Sequence, residues 1–244
     1  MDSRLVDWRD ALIAELPARM SEKRATTVDL RRLAQPDTGP SLALNSFLPW
    51  LDHVDQLRLG GESNFNEVHF DTRCPTGVRG TPPQLELIAL GPDSIAAVTA
   101  RSTEYLQRRR ARLAAAYDDL EVPQSLGAWH GVLRNLQTKP GSDRYVDSAT
   151  LLKFAIGLAR TFPRHRIALV YLFLEPTDAA DLAPFAAHRA EVRSLVERSR
   201  GTAVQLHAMS FGELWDDWTQ PGNPEPVRQA AARLKRRYSV TLAT

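Results

Sequence analysis

Residues 82–106, PPQLELIALGPDSIAAVTARSTEYL, constrain the fold of this chain more than any other stretch. Residues 84–90 form a short apolar run bounded by Pro82 and Pro83. Gly91-Pro92-Asp93-Ser94 is a turn signal: glycine tolerates positive φ, proline presets φ, and aspartate bonds to nearby backbone. Residues 95–102 read as a second strand, and residues 103–116 as a helix. A turn centred between Pro92 and Asp93 places Glu86 opposite Thr99 in an antiparallel pair. Strand side chains alternate with period two, so Glu86, Thr99 and Arg101 are predicted on one face.

The remaining elements follow from periodicity. Helices are predicted over 3–16, 41–54, 124–136, 145–162, 181–200 and 227–238, and Pro49 is expected to kink the second of these. Residues 21–40 read as a short helix and a loop. Strands are predicted over 65–72, 166–174 and 202–209. The 166–174 run is apolar almost throughout, as in a strand covered on both faces. Ser210 and Glu213 have capping-box spacing before a short helix ending near Trp218. The fold class is therefore α/β, a central mixed sheet with helices on both faces. Three units are expected: an N-terminal helical extension over 1–40, a core domain over 41–220, and a basic C-terminal helix over 221–244.

An acidic residue on one strand, a tight turn, and a second strand running into a helix form a layout that resembles the core of the PD-(D/E)XK nuclease superfamily. The wider run FDTRCPTGVRGTPPQLELIALGPDSIAAVTARSTEYL resembles a bacterial, restriction-endonuclease-like branch whose second strand reads V-E-S-K-x-T-E. The likeness covers roughly residues 41–218, including DSATLLKFAIGLAR and RIALVYLFLEP. It implies a restriction-endonuclease-like core, DNA as the partner, and Mg²⁺ held by two carboxylates beside a lysine that serves the attacking water.

This chain departs from that pattern at each catalytic position. Glu86 stands where the family has Asp, Thr99 where it has Glu, and Arg101 where it has Lys; Thr150 stands where many relatives carry Gln. A hydroxyl is a poor ligand for a hard cation beside a carboxylate. Arginine binds phosphate but stays protonated, so it cannot take a proton from water. Lys153, on the 145–162 helix, is expected to add positive charge to the site. Glu104, one helical turn past Arg101, is the candidate for a relocated metal ligand together with Glu86, with Asp71 as a further helper. The competing reading of Glu104 is an acid in a helix first turn, favoured by the dipole.

Two further constellations stand out. Glu67, His69 and Asp71 share a strand face and suit either a metal or a solvated surface. Arg108, Arg109, Arg110 and Arg112, with Arg101 before them, form a basic cluster able to neutralise phosphates without reading bases; Lys235, Arg236 and Arg237 form a second. Each cluster reads equally as a solvated helix face. His130, His165, His188 and His207 have no ligand spacing and are read as surface or core residues.

Composition sets limits. The 244 residues, 43% hydrophobic and 25% charged, suffice for one large core, and a net charge of +2 does not by itself announce nucleic-acid binding. The single cysteine, Cys74, excludes an internal disulfide or a cysteine metal cluster and suits a reducing cytoplasm. No signal peptide or membrane span is expected at the N-terminus or elsewhere. GxGxxG, P-loop and G-x-S-x-G patterns are absent. Three functions remain open. One is a nuclease-fold protein that binds DNA with an impaired phosphodiesterase site. The second is an active Mg²⁺-dependent endodeoxyribonuclease in restriction or defence. The third is a non-catalytic subunit that contacts a protein partner or a second copy.

Overall fold

Strands β2 (Gln84–Leu90) and β3 (Ser94–Arg101) form the expected hairpin, pairing Leu87 with Val98 and Leu90 with Ile95. One step further in the same register sets Glu86 against Thr99. The computed structural model describes residues 38–107, 113, 115–117 and 122–242. The helix expected over 3–16, most of the 1–40 extension, and Arg108, Arg109, Arg110 and Arg112 lie outside the described residues.

β1 (Glu67–Arg73) joins β2 antiparallel, while β4 (Arg166–Phe173) and β5 (Val204–Ser210) add to β3 in parallel. The sheet order is β1-β2-β3-β4-β5. Parallel neighbours need a crossover, and helices supply it. The described residues contain six α-helices: α1 (Gly39–Phe47), α2 (Trp129–Thr138), α3 (Ser148–Thr161), α4 (Ala183–Arg198), α5 (Phe211–Trp218) and α6 (Glu225–Tyr238). The chain is thus α/β, a five-stranded mixed sheet between helical layers.

Strand alternation divides the core in two. Ile88, Ile95, Ala97, Ile167 and Leu169 pack with α2, α3 and α4 on one side. Leu87, Ala96, Val98, Ala168, Val170 and Leu172 pack with α1, α5 and α6 on the other. In β4 every residue after Arg166 is buried, as its apolar run predicts. α6 is part of the second core through Val227, Ala231 and Leu234, so the basic helix is not an appendage.

Local chemistry sets the helix ends. Asp147 caps α3 by accepting from the Thr150 N–H at 2.9 Å. Ser210 and Glu213 complete the predicted capping box of α5. Gly39 starts α1 directly over β3, where a Cβ would stand 2.2 Å from the Ala100 carbonyl oxygen, so only glycine admits that approach.

Several expected bounds change. The 41–54 helix ends at Phe47 and tightens into 3₁₀ turns over Leu48–Asp52 and Val54–Gln56, with Pro49 in the first of them. Of the helix expected over 103–116, the described residues form two 3₁₀ turns, Glu104–Leu106 and Ala115–Tyr117, and Gln107 leaves helical geometry at φ −78°, ψ 87°; residues 108–112 and 114 lie outside the described residues. The 124–136 helix is divided at Gly127, whose φ is +36°. Among the described residues no helix is long and apolar enough to cross a membrane.

Candidate functional site

Glu86, Thr99 and Arg101 share the sheet face that meets α3, as the period-two reading predicts, and together they line a cleft of about 320 Å³. Glu104, Tyr105 and Gln107 border it after β3; Arg144, Tyr145, Asp147 and Thr150 border it from the loop and first turn of α3. Tyr171 of β4 forms part of the wall because the parallel register pairs it with Thr99.

Glu86 is 7% exposed and Thr99 only 1%. A buried carboxylate needs donors, and Glu86 has them. Its Oε2 accepts from the Ala100 N–H at 3.0 Å, beyond the last paired residues of the hairpin. Its Oε1 lies 3.8 Å from Arg101 Nη1. Arg101 Nη1 also donates to the Ala100 carbonyl at 2.8 Å and approaches Thr99 Oγ1 at 3.4 Å. The guanidinium is therefore held at the mouth of the site by three oxygen-bearing groups.

Glu104 faces inward but its carboxylate is engaged: Oε2 accepts from the Ser102 N–H at 2.6 Å and Oε1 from the Gly39 N–H at 3.4 Å. The side chain thus serves backbone before its own turn and at the start of α1. Asp147 is likewise occupied as the α3 cap, with Oδ2 accepting from Thr150 Oγ1 at 2.7 Å. The opposite wall is fixed from α4. Glu191 accepts three successive backbone N–H groups, those of Arg144 at 2.9 Å, Tyr145 at 2.7 Å and Val146 at 3.0 Å.

Behind the cleft lies an aromatic cluster. The Tyr171 hydroxyl is 3.1 Å from Nε2 of His188, which is fully buried, and Tyr105 stacks on the imidazole at 4.0 Å. Burial pushes the His188 imidazole down to about 3, with Arg189 beside it acting in the same direction. Burial also raises the Tyr171 phenol well above its usual range, and Arg101 opposes that rise.

The donor set does not fit Mg²⁺. Among the described residues no group of three His, Cys, Asp or Glu side chains is placed to hold a metal. The carboxylates of Glu86 and Glu104 both bind backbone N–H groups, and an arginine stands beside the first. The arrangement can hold an oxyanion through Arg101 and Arg144, and no lysine stands among the described residues that line it.

Other expectations resolve differently. Lys153 is not in the cleft; it lies over the Tyr117 ring, 5.4 Å from the centroid, because its turn of α3 faces that ring. His69 binds Glu67 at 2.8 Å on the exposed part of β1, while Asp71 takes a left-handed backbone (φ +54°) and drops out of the β1–β2 pairing, which resumes at Thr72. Lys235 pairs with Asp216 of α5, so part of the C-terminal basic cluster is committed to helix packing. The walls supplied by Tyr171 and Arg144, and the hold of Glu191 on the second, escaped the sequence reading; only the D-S-A-T cap at Asp147 carried a local signal.

No family model, no curated protein and no solved structure matches this chain.

Proposed function

We propose that this protein is a nuclease-fold DNA-binding module, related in architecture to the PD-(D/E)XK enzymes, that holds the phosphodiester backbone in the hairpin cleft without cutting it. The observation that carries this reading is Arg101, 3.8 Å from Glu86 on the same sheet face as Thr99. It occupies the position of the family lysine, and a neutral hydroxyl replaces the second carboxylate. A guanidinium there supplies positive charge to a phosphate, in a form that cannot accept a proton. The order of one helix, three strands, further helices, a strand, a helix and a last strand follows the layout that the resemblance implies. Arg108, Arg109, Arg110 and Arg112 follow in sequence soon after Gln107 of the cleft wall, a run whose charge suits phosphate. A bacterial cytoplasmic setting accords with the lone cysteine, which is free and buried.

Filter binding of duplex DNA against salt, run beside a plasmid-nicking assay with Mg²⁺ and Mn²⁺, tests the proposal. Retention should fall steeply with salt, Arg101→Ala should lower the slope by about one, and no nicking should occur. Metal-dependent nicking that disappears in Glu86→Ala would instead identify an active endonuclease with relocated ligands. Absence of salt-dependent retention would leave a protein-interaction subunit.

A further inference from the structure

The Tyr171–His188 pair bears on what the cleft accepts. His188 Nε2 is 3.1 Å from Tyr171 Oη, and Nδ1 is buried without a hydrogen-bond partner among the described residues. The imidazole is enclosed by Tyr105, stacked at 4.0 Å, and Phe173, edge-on at 4.7 Å. Two neutral tautomers compete. With the proton on Nδ1, an N–H is stranded in a dry aromatic box while the Tyr171 hydroxyl spends its hydrogen on Nε2. With the proton on Nε2, the imidazole donates to Tyr171 Oη, the bare Nδ1 is the only buried orphan, and the hydroxyl hydrogen is released towards the cleft. Buried orphan N–H groups are the rarer fault in folded proteins, and a donor moved to an open cleft finds an acceptor. The second tautomer is therefore favoured. Burial keeps the imidazole neutral at physiological pH, so the choice between tautomers is the relevant one.

We infer that Tyr171, oriented by His188, is a hydrogen-bond donor on the wall of the cleft beside Arg101, and that the pair selects a proton-free phosphate oxygen. This rests on the DNA-binding reading above and assigns Tyr171 a part in it. Its placement follows from the sheet: Tyr171 pairs with Thr99 and Phe173 with Arg101, so the hydroxyl and the guanidinium rise from adjacent strands on one face. Tyr171 lines the cleft together with Arg101, Glu104 and Asp147, charged groups that act on its phenol. His188 acts through Tyr171 and is a positioning residue.

Nitrogen-15 NMR of histidine-labelled wild-type protein reads the tautomer directly; the expected form has the proton on Nε2, and a proton on Nδ1 overturns the inference. Binding of a short duplex and of inorganic phosphate is then measured for wild type, Tyr171→Phe and Arg101→Ala, with circular dichroism confirming that each variant is folded. Tyr171→Phe should weaken duplex binding about tenfold, the loss expected for one hydrogen bond to a charged acceptor. Weakening by Arg101→Ala with no change in Tyr171→Phe overturns the donor role and leaves the cleft reading intact. No effect from either substitution removes both. Tyr171-dependent binding of inorganic phosphate without duplex binding keeps the donor role and removes DNA as the ligand.

Discussion

The carboxylate of Glu86 accepts the main-chain N–H of Ala100 at 3.0 Å, taking over where the backbone ladder of the β2–β3 hairpin stops. The buried acid thus completes the sheet at that end. Glu86→Ala removes the acceptor from a buried N–H and the carboxylate beside Arg101, and should destabilise the fold by roughly 1–3 kcal/mol. Glu86→Gln keeps an oxygen and should cost less. Urea denaturation of the three proteins gives the order; equal midpoints for the alanine variant and the wild type would show that the bond carries no stability.

Introducing a second carboxylate and a lysine tests whether the scaffold fits a metal. Thr99→Glu with Arg101→Lys places a second carboxylate on the face of Glu86 and removes the guanidinium beside it. The double variant should gain affinity for Mn²⁺ and Mg²⁺ in calorimetric titration, where the wild type shows little. Matching flat titrations would mean that the face cannot assemble a ligand set.

Glu191 secures the far wall by accepting the N–H groups of Arg144, Tyr145 and Val146. Charge-assisted bonds of this kind are the stronger class, and losing a set that acts together should cost about 2 kcal/mol or more. Glu191→Ala should lower the thermal midpoint and raise amide hydrogen exchange at Tyr145 and Val146. Unchanged exchange there would show that the loop is held by α3 alone.

The buried imidazole of His188 makes stability pH-dependent. Its folded value, about 3, lies below the ordinary 6.5. Between those values the unfolded chain binds a proton that the folded chain refuses, so stability rises with pH across this window and is lost on acidification. The slope from this group approaches about 1.4 kcal/mol per pH unit. His188→Gln, which keeps an amide facing Tyr171, should flatten the acid limb between pH 3 and 6.5. Unfolding free energies at several pH values give both slopes, and identical slopes would mean that His188 is protonated in the native protein.

The hairpin was legible because its information is local. Pro82-Pro83 and the Gly91–Ser94 turn set the register, and the period of two along a strand then put Glu86, Thr99 and Arg101 on one face. The capping box at Ser210 was legible for the same reason: Ser210 and Glu213 stand three residues apart and bond to each other's backbone. The engagement of Glu104 was not legible, because its side chain bonds the N–H groups of Ser102 and Gly39, and the second of these is a partner 65 positions away. Lys153 failed because helical spacing places it on α3 but does not say which turn faces the sheet.

Sequence alone thus determined the strands, their faces and the placement of Glu86, Thr99 and Arg101 together, since turn chemistry and side-chain period act over a few positions. Tertiary structure decided the opposite wall. Tyr171 reaches the cleft through a parallel pairing with β3, and Arg144 through a carboxylate on α4. Both depend on which distant segments pack together, a choice made by burial of whole faces and not by any short run of residues.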